Sequence, residues 1–424
     1  MIEYFVVAGG KGTRSLNPSL PKILQAVGNG ILLIDLLLER LNNGESPRKV
    51  TFLLGFEGQM IQSYIEDNLR KYPKLIVSYL YDEVNSPGTA GALLIGVEQS
   101  NARFSICILG DIATNIDFDL LEQFWELDNH KTFLVAHPTL HPEDSDCVTL
   151  VDGILDNLYL KKSSKPINAG SPLLGIAGIY GFDNHSLSML KGFTGDISGD
   201  LIPLILESQK VTVINSSYYI HDVGTPERLE SFKDDFRNGS FERRGLKLRN
   251  AIFLDRDGVL FENLPKGRTS LDSIEEDIVD AIRLSNQSGI PIFIVTNQPQ
   301  VSKGFIDHKD VIKVEADISR ILAKGGAYID EFKYCPHHPA AGFVGEVVSL
   351  KIVCDCRKPK LGMFLDISKK HSIDVPSSIF IGDTEIDQET AYLGKMKFML
   401  ASYNQVVGIS TAQAIINAVH EIKS

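Results

Sequence analysis

The chain has 424 residues, of which 43% are hydrophobic and 23% charged, and its formal charge is −12. That balance excludes a disordered or fibrous polymer, and its length, more than one core usually organises, predicts two domains. The acidic surface excludes general binding to nucleic acid or an acidic membrane, so any phosphorylated ligand must be met by local cations.

Short apolar runs alternate with longer amphipathic stretches along the chain, the pattern of βα units around a mostly parallel sheet. Strands are expected over Phe5 to Ala8, Val50 to Leu54, Ser105 to Leu109 and Thr132 to Ala136, with helices such as Leu32 to Leu41 and Gly58 to Leu69 between them. The apolar run from Tyr4 to Ala8 passes straight into a glycine loop rather than a signal-peptide cleavage region. No apolar run reaches membrane-spanning length, so a cytoplasmic protein is expected. The pattern restarts at Ala251 to Leu254 and continues at Pro291 to Val295 and Ser378 to Ile381. The polar stretch from Phe236 to Asn250 reads as the junction, with domains over residues 1–240 and 250–424 and a linker over 241–249. The fold class expected is α/β, two doubly wound domains.

The first strand opens into A-G-G-K-G-T-R, Ala8 to Arg14, followed by Pro21 and Lys22. Gly9, Gly10 and Gly12 let backbone N–H groups approach a phosphate, while Lys11, Arg14 and Lys22 can neutralise it. Neither the Walker spacing nor G-x-G-x-x-G is present. Further along lie S-P-G-T-A-G-A-L at 86–93, L-G-D at 109–111 and H-D-V-G-T-P-E at 221–227. In this order the segments resemble the sugar-1-phosphate nucleotidyltransferases. The resemblance implies that Gly9, Gly10, Lys11, Gly12 and Thr13, with Arg14 and Lys22, hold a nucleoside triphosphate and the transferring phosphorus. It also implies Mg²⁺ at Asp111 and Asp222, and a nucleobase beside Gly88, Thr89 and Ala90. Ala177 to Tyr180 matches the segment lining the sugar pocket, and Lys161, Lys162 and Lys165 read as a solvated loop, with contact to a sugar phosphate as the alternative. The stretch from Arg14 to Pro21 is shorter than the family's, and Gly28-Asn29-Gly30 stands where a second lysine is usual. His130, His137 and His141 lack spaced partners and read as structural or surface residues.

F-L-D-R-D-G-V-L, Phe253 to Leu260, sets Asp255 and Asp257 just past a strand, where one carboxylate can attack phosphorus and the other can move the leaving-group proton. V-T-N-Q supplies Thr296 and Asn297, C-R-K-P supplies Arg357 and Lys358, and I-G-D-T-E-I-D supplies Asp383 and Asp387. This ordered set resembles the haloacid-dehalogenase-like phosphatases. The resemblance implies that Asp255 is the nucleophile, Asp257 the general acid and base, and Thr296 and Lys358 the holders of the phosphoryl oxygens. Mg²⁺ is implied on Asp255, Asp383 and the backbone carbonyl of Asp257, with Asp387 behind them.

Of the five cysteines, three lie in C-P-H-H and C-D-C. Cys335, His337, Cys354 and Cys356 make a set suited to tetrahedral, structural Zn²⁺, with His338 as the alternative imidazole. That loop, immediately before Arg357 and Lys358, resembles the D-glycero-D-manno-heptose 1,7-bisphosphate 7-phosphatases and the related histidinol-phosphate phosphatases. The stretch after Thr296 departs from their N-Q-S-G, reading N-Q-P-Q.

A bisphosphate phosphatase yields a sugar 1-phosphate and a nucleotidyltransferase consumes one. The expected function is therefore two successive steps, converting D-glycero-α-D-manno-heptose 1,7-bisphosphate, with GTP, into GDP-heptose. Alternatives keep both reactions with another sugar or with CTP, UTP or dTTP, or join a histidinol-phosphate-type phosphatase to a non-catalytic binding domain.

Overall fold

The computed structural model describes residues 2–10, 20–81, 88–129, 131–161, 171–262 and 271–424. Apart from two short internal segments, the chain divides into two compact units with the break between Gly245 and Leu246.

The first unit is built on a nine-stranded sheet. At one side Leu75–Tyr81, Arg48–Leu54, Ile2–Ala8 and Phe104–Leu109 run parallel in that order. Counted along the chain this is the order 3-2-1-4, which reverses direction between Ile2–Ala8 and Phe104–Leu109. In open α/β sheets a ligand crevice forms at such a point. Phe5, Val6, Phe52 and Leu54 are fully buried, as expected of strands covered on both faces. The helix Leu33–Asn42 buries Leu33, Ile34, Leu37, Leu38 and Leu41.

Beyond that half, the mostly parallel expectation gives way to mixed pairing. Leu174–Asp183 runs antiparallel to Phe104–Leu109, and Cys147–Val151 pairs antiparallel with Ile154–Tyr159. The turn between the last two explains the change, because Asp152 (φ +50°) and Gly153 (φ +79°) both adopt the left-handed conformation of a tight hairpin.

The segment from Phe236 to Asn250 is not the unanchored linker its polarity suggests. Ser240–Arg244 is helical, and Phe241, Arg244 and Arg249 are 4%, 3% and 2% exposed. Within the first unit Arg244 Nη1 donates to the Ser217 carbonyl at 2.8 Å and Arg40 Nη1 to that of Gly245 at 3.2 Å. Within the second, Arg249 donates its N–H to the Ser372 carbonyl at 3.0 Å. The guanidinium groups of Arg244 and Arg249 are thus held on the backbone carbonyls of Ser217 and His371, while Arg237 stays exposed beside Asp234.

The second unit holds a six-stranded parallel sheet in the order Glu331–Cys335, Ile292–Asn297, Ile252–Leu254, Ile379–Gly382, Lys397–Ser402, Ile409–Ser410. Counted within the unit this is 3-2-1-4-5-6, the doubly wound order. Side-chain alternation sorts the two faces: Phe253, Phe293 and Phe380 stand in register against Phe364 on one, while Ile252, Leu254, Ile292, Ile294, Ile379 and Ile381 form the core on the other. The reversal falls between Ile252–Leu254 and Ile379–Gly382.

Candidate active sites

The first crevice opens where Ile2–Ala8 runs into Gly9 and Gly10. Gly9 accepts the Phe56 N–H at 3.2 Å, and a Cβ on Gly55 would lie 2.6 Å from the Gly9 oxygen, so the loop passes only because residue 55 is glycine. A Cβ on Gly10 would meet no described atom within 4 Å. Across the crevice Gly110 donates to the Val7 carbonyl at 2.9 Å and so places Asp111 beside the loop. Lys22 Nζ sits 2.8 Å from Asp111 Oδ2. The short strand Ile220–Asp222 pairs antiparallel with Ile112–Thr114, setting Asp222 opposite Ile112. A Cβ on Gly224 would be 2.7 Å from Asp222 Oδ1, 3.4 Å from Lys22 Nζ and 3.5 Å from Asp111 Oδ2, so two carboxylates and an ammonium converge there. Asp222 also pairs with Arg228, while Thr225 caps the helix Pro226–Arg237, whose first residue is proline. H-D-V-G-T-P-E thus ends a strand, turns past the carboxylates and starts a helix. The two hard-oxygen donors suit Mg²⁺.

Gly88 opens the helix Gly88–Glu98 at φ +74°, and a Cβ there would come 2.2 Å from the Gly195 oxygen. Ala90 N–H donates to that oxygen at 2.9 Å, and Thr89 Oγ1 accepts the Ile197 N–H at 2.9 Å. The loop that begins the helix is therefore docked on the stretch entering a π-helix, Ile197–Leu201. In that turn Ser198 Oγ donates to Asp146 Oδ2 at 2.7 Å, and the Lys161 N–H donates to Asp146 Oδ1 at 2.8 Å. Nearby Tyr180 is 1% exposed, and burial, with Cys107 and Asp146, holds its phenol well above the ordinary value. Sequence reading assigned no role to Gly195, Ser198 or Asp146; the only local signal is G-D-I-S-G-D at 195–200. Lys11, Gly12, Thr13, Arg14, Lys162, Lys165 and His130 lie outside the described residues. His141 is exposed beside Glu143.

The second crevice gathers its groups more tightly. Asp255 leaves the strand Ile252–Leu254 with its N–H bonded to the Ile381 carbonyl at 3.0 Å. The Lys358 ammonium, 3% exposed, lies 2.7 Å from Asp387 Oδ1 and 2.8 Å from Asp255 Oδ1. The ammonium therefore bridges the two carboxylates. Burial, then Asp387, pushes the Asp255 carboxyl up to about 6 against the pull of Lys358. Burial would lower Lys358, but Asp255 and Asp387 hold it above its ordinary value. Asp387 Oδ2 is taken by the Thr384 hydroxyl at 2.6 Å and by its N–H at 3.2 Å.

Oxygens of Asp255, Asp383 and Asp387 lie within 4.8 Å of one another. Asp383 Oδ1 is buried without a hydrogen-bond partner, and burial, then Asp387, raises its carboxyl. A Cβ on Gly258 (φ +84°) would sit 2.2 Å from Asp383 Oδ2. An unpaired buried oxygen, in a cradle that a side chain would fill, fits a Mg²⁺ ion on Asp255 and Asp383, with Asp387 already engaged. Asn297 clasps the Lys358 backbone, donating to its carbonyl at 3.1 Å and accepting its N–H at 3.0 Å. Thr296, 3% exposed, ends the neighbouring strand, and Arg357 Nη1 donates to the His337 carbonyl at 3.3 Å. Arg256 and Gln298, to which sequence reading assigned no role, both contact Asp257.

Cys335, His337, Cys354 and Cys356 form one group able to hold a metal. Their Sγ and Nδ1 atoms are separated by 3.2 to 3.6 Å along the contacting pairs. His338 turns away to accept the Ala340 N–H at 3.1 Å, whereas His337 Nδ1 lies 3.2 Å from Cys356 Sγ.

The family model described as polynucleotide kinase 3 phosphatase matches residues 255–401. A D-glycero-β-D-manno-heptose-1,7-bisphosphate 7-phosphatase from Photorhabdus laumondii is 34% identical over 149 residues, covering 34% of this chain and 76% of that protein. One from Rhodopseudomonas palustris is 36% identical over 144 residues, covering 34% of this chain and 78% of that protein. Among solved structures, a UDP-glucose pyrophosphorylase complexed with UDP-glucose matches 56% of this chain and 99% of its own, at 17% identity and a TM-score of 0.47.

Proposed function

The chain belongs, through its C-terminal half, to the D-glycero-D-manno-heptose-1,7-bisphosphate 7-phosphatase family, and from that premise we propose that it is a bifunctional enzyme of nucleotide-activated heptose synthesis. Its second unit removes the 7-phosphate of a heptose 1,7-bisphosphate. Its first transfers GMP from GTP to the resulting heptose 1-phosphate, giving GDP-heptose and pyrophosphate. One observation carries the reading: a chain whose second unit gathers Asp255, Lys358, Asp383 and Asp387 also gathers Lys22, Asp111 and Asp222 at the crevice of its first.

In the phosphatase reaction Asp255 attacks phosphorus, the P–O ester bond breaks, and the leaving alkoxide takes a proton from Asp257. Water then attacks the aspartyl phosphate, gives its proton to Asp257, and releases phosphate with Asp255 restored. Thr296 and Lys358 hold the phosphoryl oxygens, and Asn297 fixes the Lys358 backbone. Mg²⁺ on Asp255, Asp383 and the carbonyl of Asp257 supplies charge neutralisation at the phosphoryl group when bound. A set of three thiolates and one imidazole leaves no place for water, so the ion it suits is a structural Zn²⁺, stiffening the loop that carries Arg357.

In the transfer, sugar phosphate and triphosphate repel each other. Lys22 neutralises and aligns them, Asp111 and Asp222 provide the Mg²⁺ ligands, and the Gly9–Gly10 backbone meets the phosphates. No covalent enzyme intermediate is required. A thiolate metal site without disulfides suits a reducing compartment such as the cytoplasm, where nucleoside triphosphates are also found.

The test incubates the protein and Mg²⁺ with the α and the β anomer of D-glycero-D-manno-heptose 1,7-bisphosphate and each nucleoside triphosphate in turn. We expect phosphate release without nucleotide, and GDP-heptose from the α anomer with GTP alone. No phosphate from either anomer overturns the heptose assignment; a nucleotide-sugar with a different triphosphate overturns the base.

A further inference from the structure

We propose that Arg256 and Gln298 are positioning residues that aim the Asp257 carboxylate for proton transfer, an inference resting on the phosphatase reading above. Arg256 folds back along its own loop. Its Nε lies 3.0 Å from Asp257 Oδ2 and its Nη2 3.2 Å from Oδ1, a two-pronged grip on both oxygens. From the neighbouring strand Gln298 Nε2 donates to Asp257 Oδ2 at 2.6 Å and to Thr296 Oγ1 at 3.0 Å. One amide therefore ties the group that moves the proton to a group that holds the phosphoryl oxygens. Gln298 is itself fixed, since its backbone N–H donates to the Cys335 carbonyl at 2.8 Å, and Cys335 is a member of the metal-binding set.

Burial makes the arrangement informative. The Arg256 side chain is 4% exposed and that of Asp257 21%. A buried guanidinium is costly unless paired, and its hydrogen-bonded counter-charge here is Asp257. The carboxylates assigned to bond making and to proton transfer then each lie against a buried cation, Asp255 against Lys358, which it shares with Asp387, and Asp257 against Arg256. Arg256 Nη1 is buried with no hydrogen-bond partner. The grip holds Asp257 by both oxygens with one edge to solvent, so its reach toward a leaving oxygen is set by Arg256 and Gln298 together.

The experiment compares wild type, Arg256→Lys and Gln298→Ala on two esters: D-glycero-D-manno-heptose 1,7-bisphosphate, whose alkoxide must be protonated, and p-nitrophenyl phosphate, whose phenolate leaves without a proton. Single-turnover release of the alcohol or phenol isolates bond breaking from hydrolysis of the aspartyl phosphate, and thermal unfolding checks that both variants fold. We expect each variant to slow the heptose ester about 10²-fold and the aryl ester less than about tenfold, with KM unchanged. Equal losses on both esters, or a change confined to KM, would overturn the inference while leaving the phosphatase reading intact. A wild type inert toward both esters would overturn both. Cleavage of the aryl ester alone would sink the heptose assignment and, with no acid-dependent ester cleaved, this inference too.

Discussion

Both units place their charged groups at the point where strand order reverses, yet one crevice is assembled in advance and the other is open. Lys358 and Asp387 are 3% and 1% exposed in their side chains and Asp255 12%, whereas Lys22, Asp111 and Asp222 are 20%, 29% and 45% exposed. A covalent mechanism requires its nucleophile and cation to be in place before the substrate arrives, and burial strengthens their interaction. The transfer proposed for the first unit would need room for two soluble anions, which matches cations that stay reachable.

The strongest way to break this comparison is to disable each crevice separately. Asp255→Asn should lower phosphate release by more than about 10³-fold while nucleotide-sugar formation from heptose 1-phosphate persists, because a nucleophile cannot be replaced by its amide. Lys22→Ala should do the reverse, and parallel loss of both activities in either variant would show that the crevices are not independent.

Cys354→Ser removes one of the four candidate metal donors from the second unit only. Structural zinc in small domains contributes about 10 kcal/mol or more to folding. The variant should therefore lose bound zinc and unfold the second unit at a lower temperature, leaving a separate transition for the first in calorimetry. An unchanged melting profile would remove the metal from the account.

The glycines sharpen the contrast between a filled and an open cradle. Gly258→Ala puts a Cβ 2.2 Å from Asp383 Oδ2 at φ +84°. It should weaken Mg²⁺ activation of phosphate release tenfold or more. Gly10→Ala meets no described protein atom within 4 Å, so its fold should be unaffected, and any rise in the triphosphate KM would report the ligand itself.

The smallest effect concerns Glu315, 8% exposed and pushed by burial up to about 7 despite Arg256. Its folded value exceeds the ordinary 4.5, so the folded state binds more protons between about pH 4.5 and 7 and stability falls as pH rises through that window. Glu315→Gln should flatten this slope, by at most about 3 kcal/mol. Denaturant titrations at pH 5 and pH 8 check it, and identical slopes for both proteins would refute the burial argument.

Much of the architecture was legible because it is written locally. The run of Ala251 to Leu254 into Asp255, or of Phe5 to Ala8 into Gly9, declares a buried strand and the loop that leaves it, since period, β-branching and glycine act over a few residues. The hairpin at Asp152-Gly153 was equally local and still escaped notice, because V-D-G-I sits in a stretch whose alternation is weak. The break between the units falls within the expected linker, but the anchoring of that segment was not legible. Arginines at 244 and 249 look solvated in sequence, and only their distant carbonyl partners at Ser217 and His371 make them buried anchors.

By itself the sequence determined two α/β domains, the loops carrying Asp255, Asp257, Asp383 and Lys22, and a Cys₃His donor set with two candidate imidazoles. The tertiary structure alone decided that His337 and not His338 faces the thiols, that Asp387 is engaged by Lys358 and Thr384, and that Arg256 and Gln298 close on Asp257. The physical reason is range. Propensity and spacing act along a few residues, whereas a hydrogen bond spanning 41 residues, from Gln298 to Asp257, exists only once parallel strands have set their register.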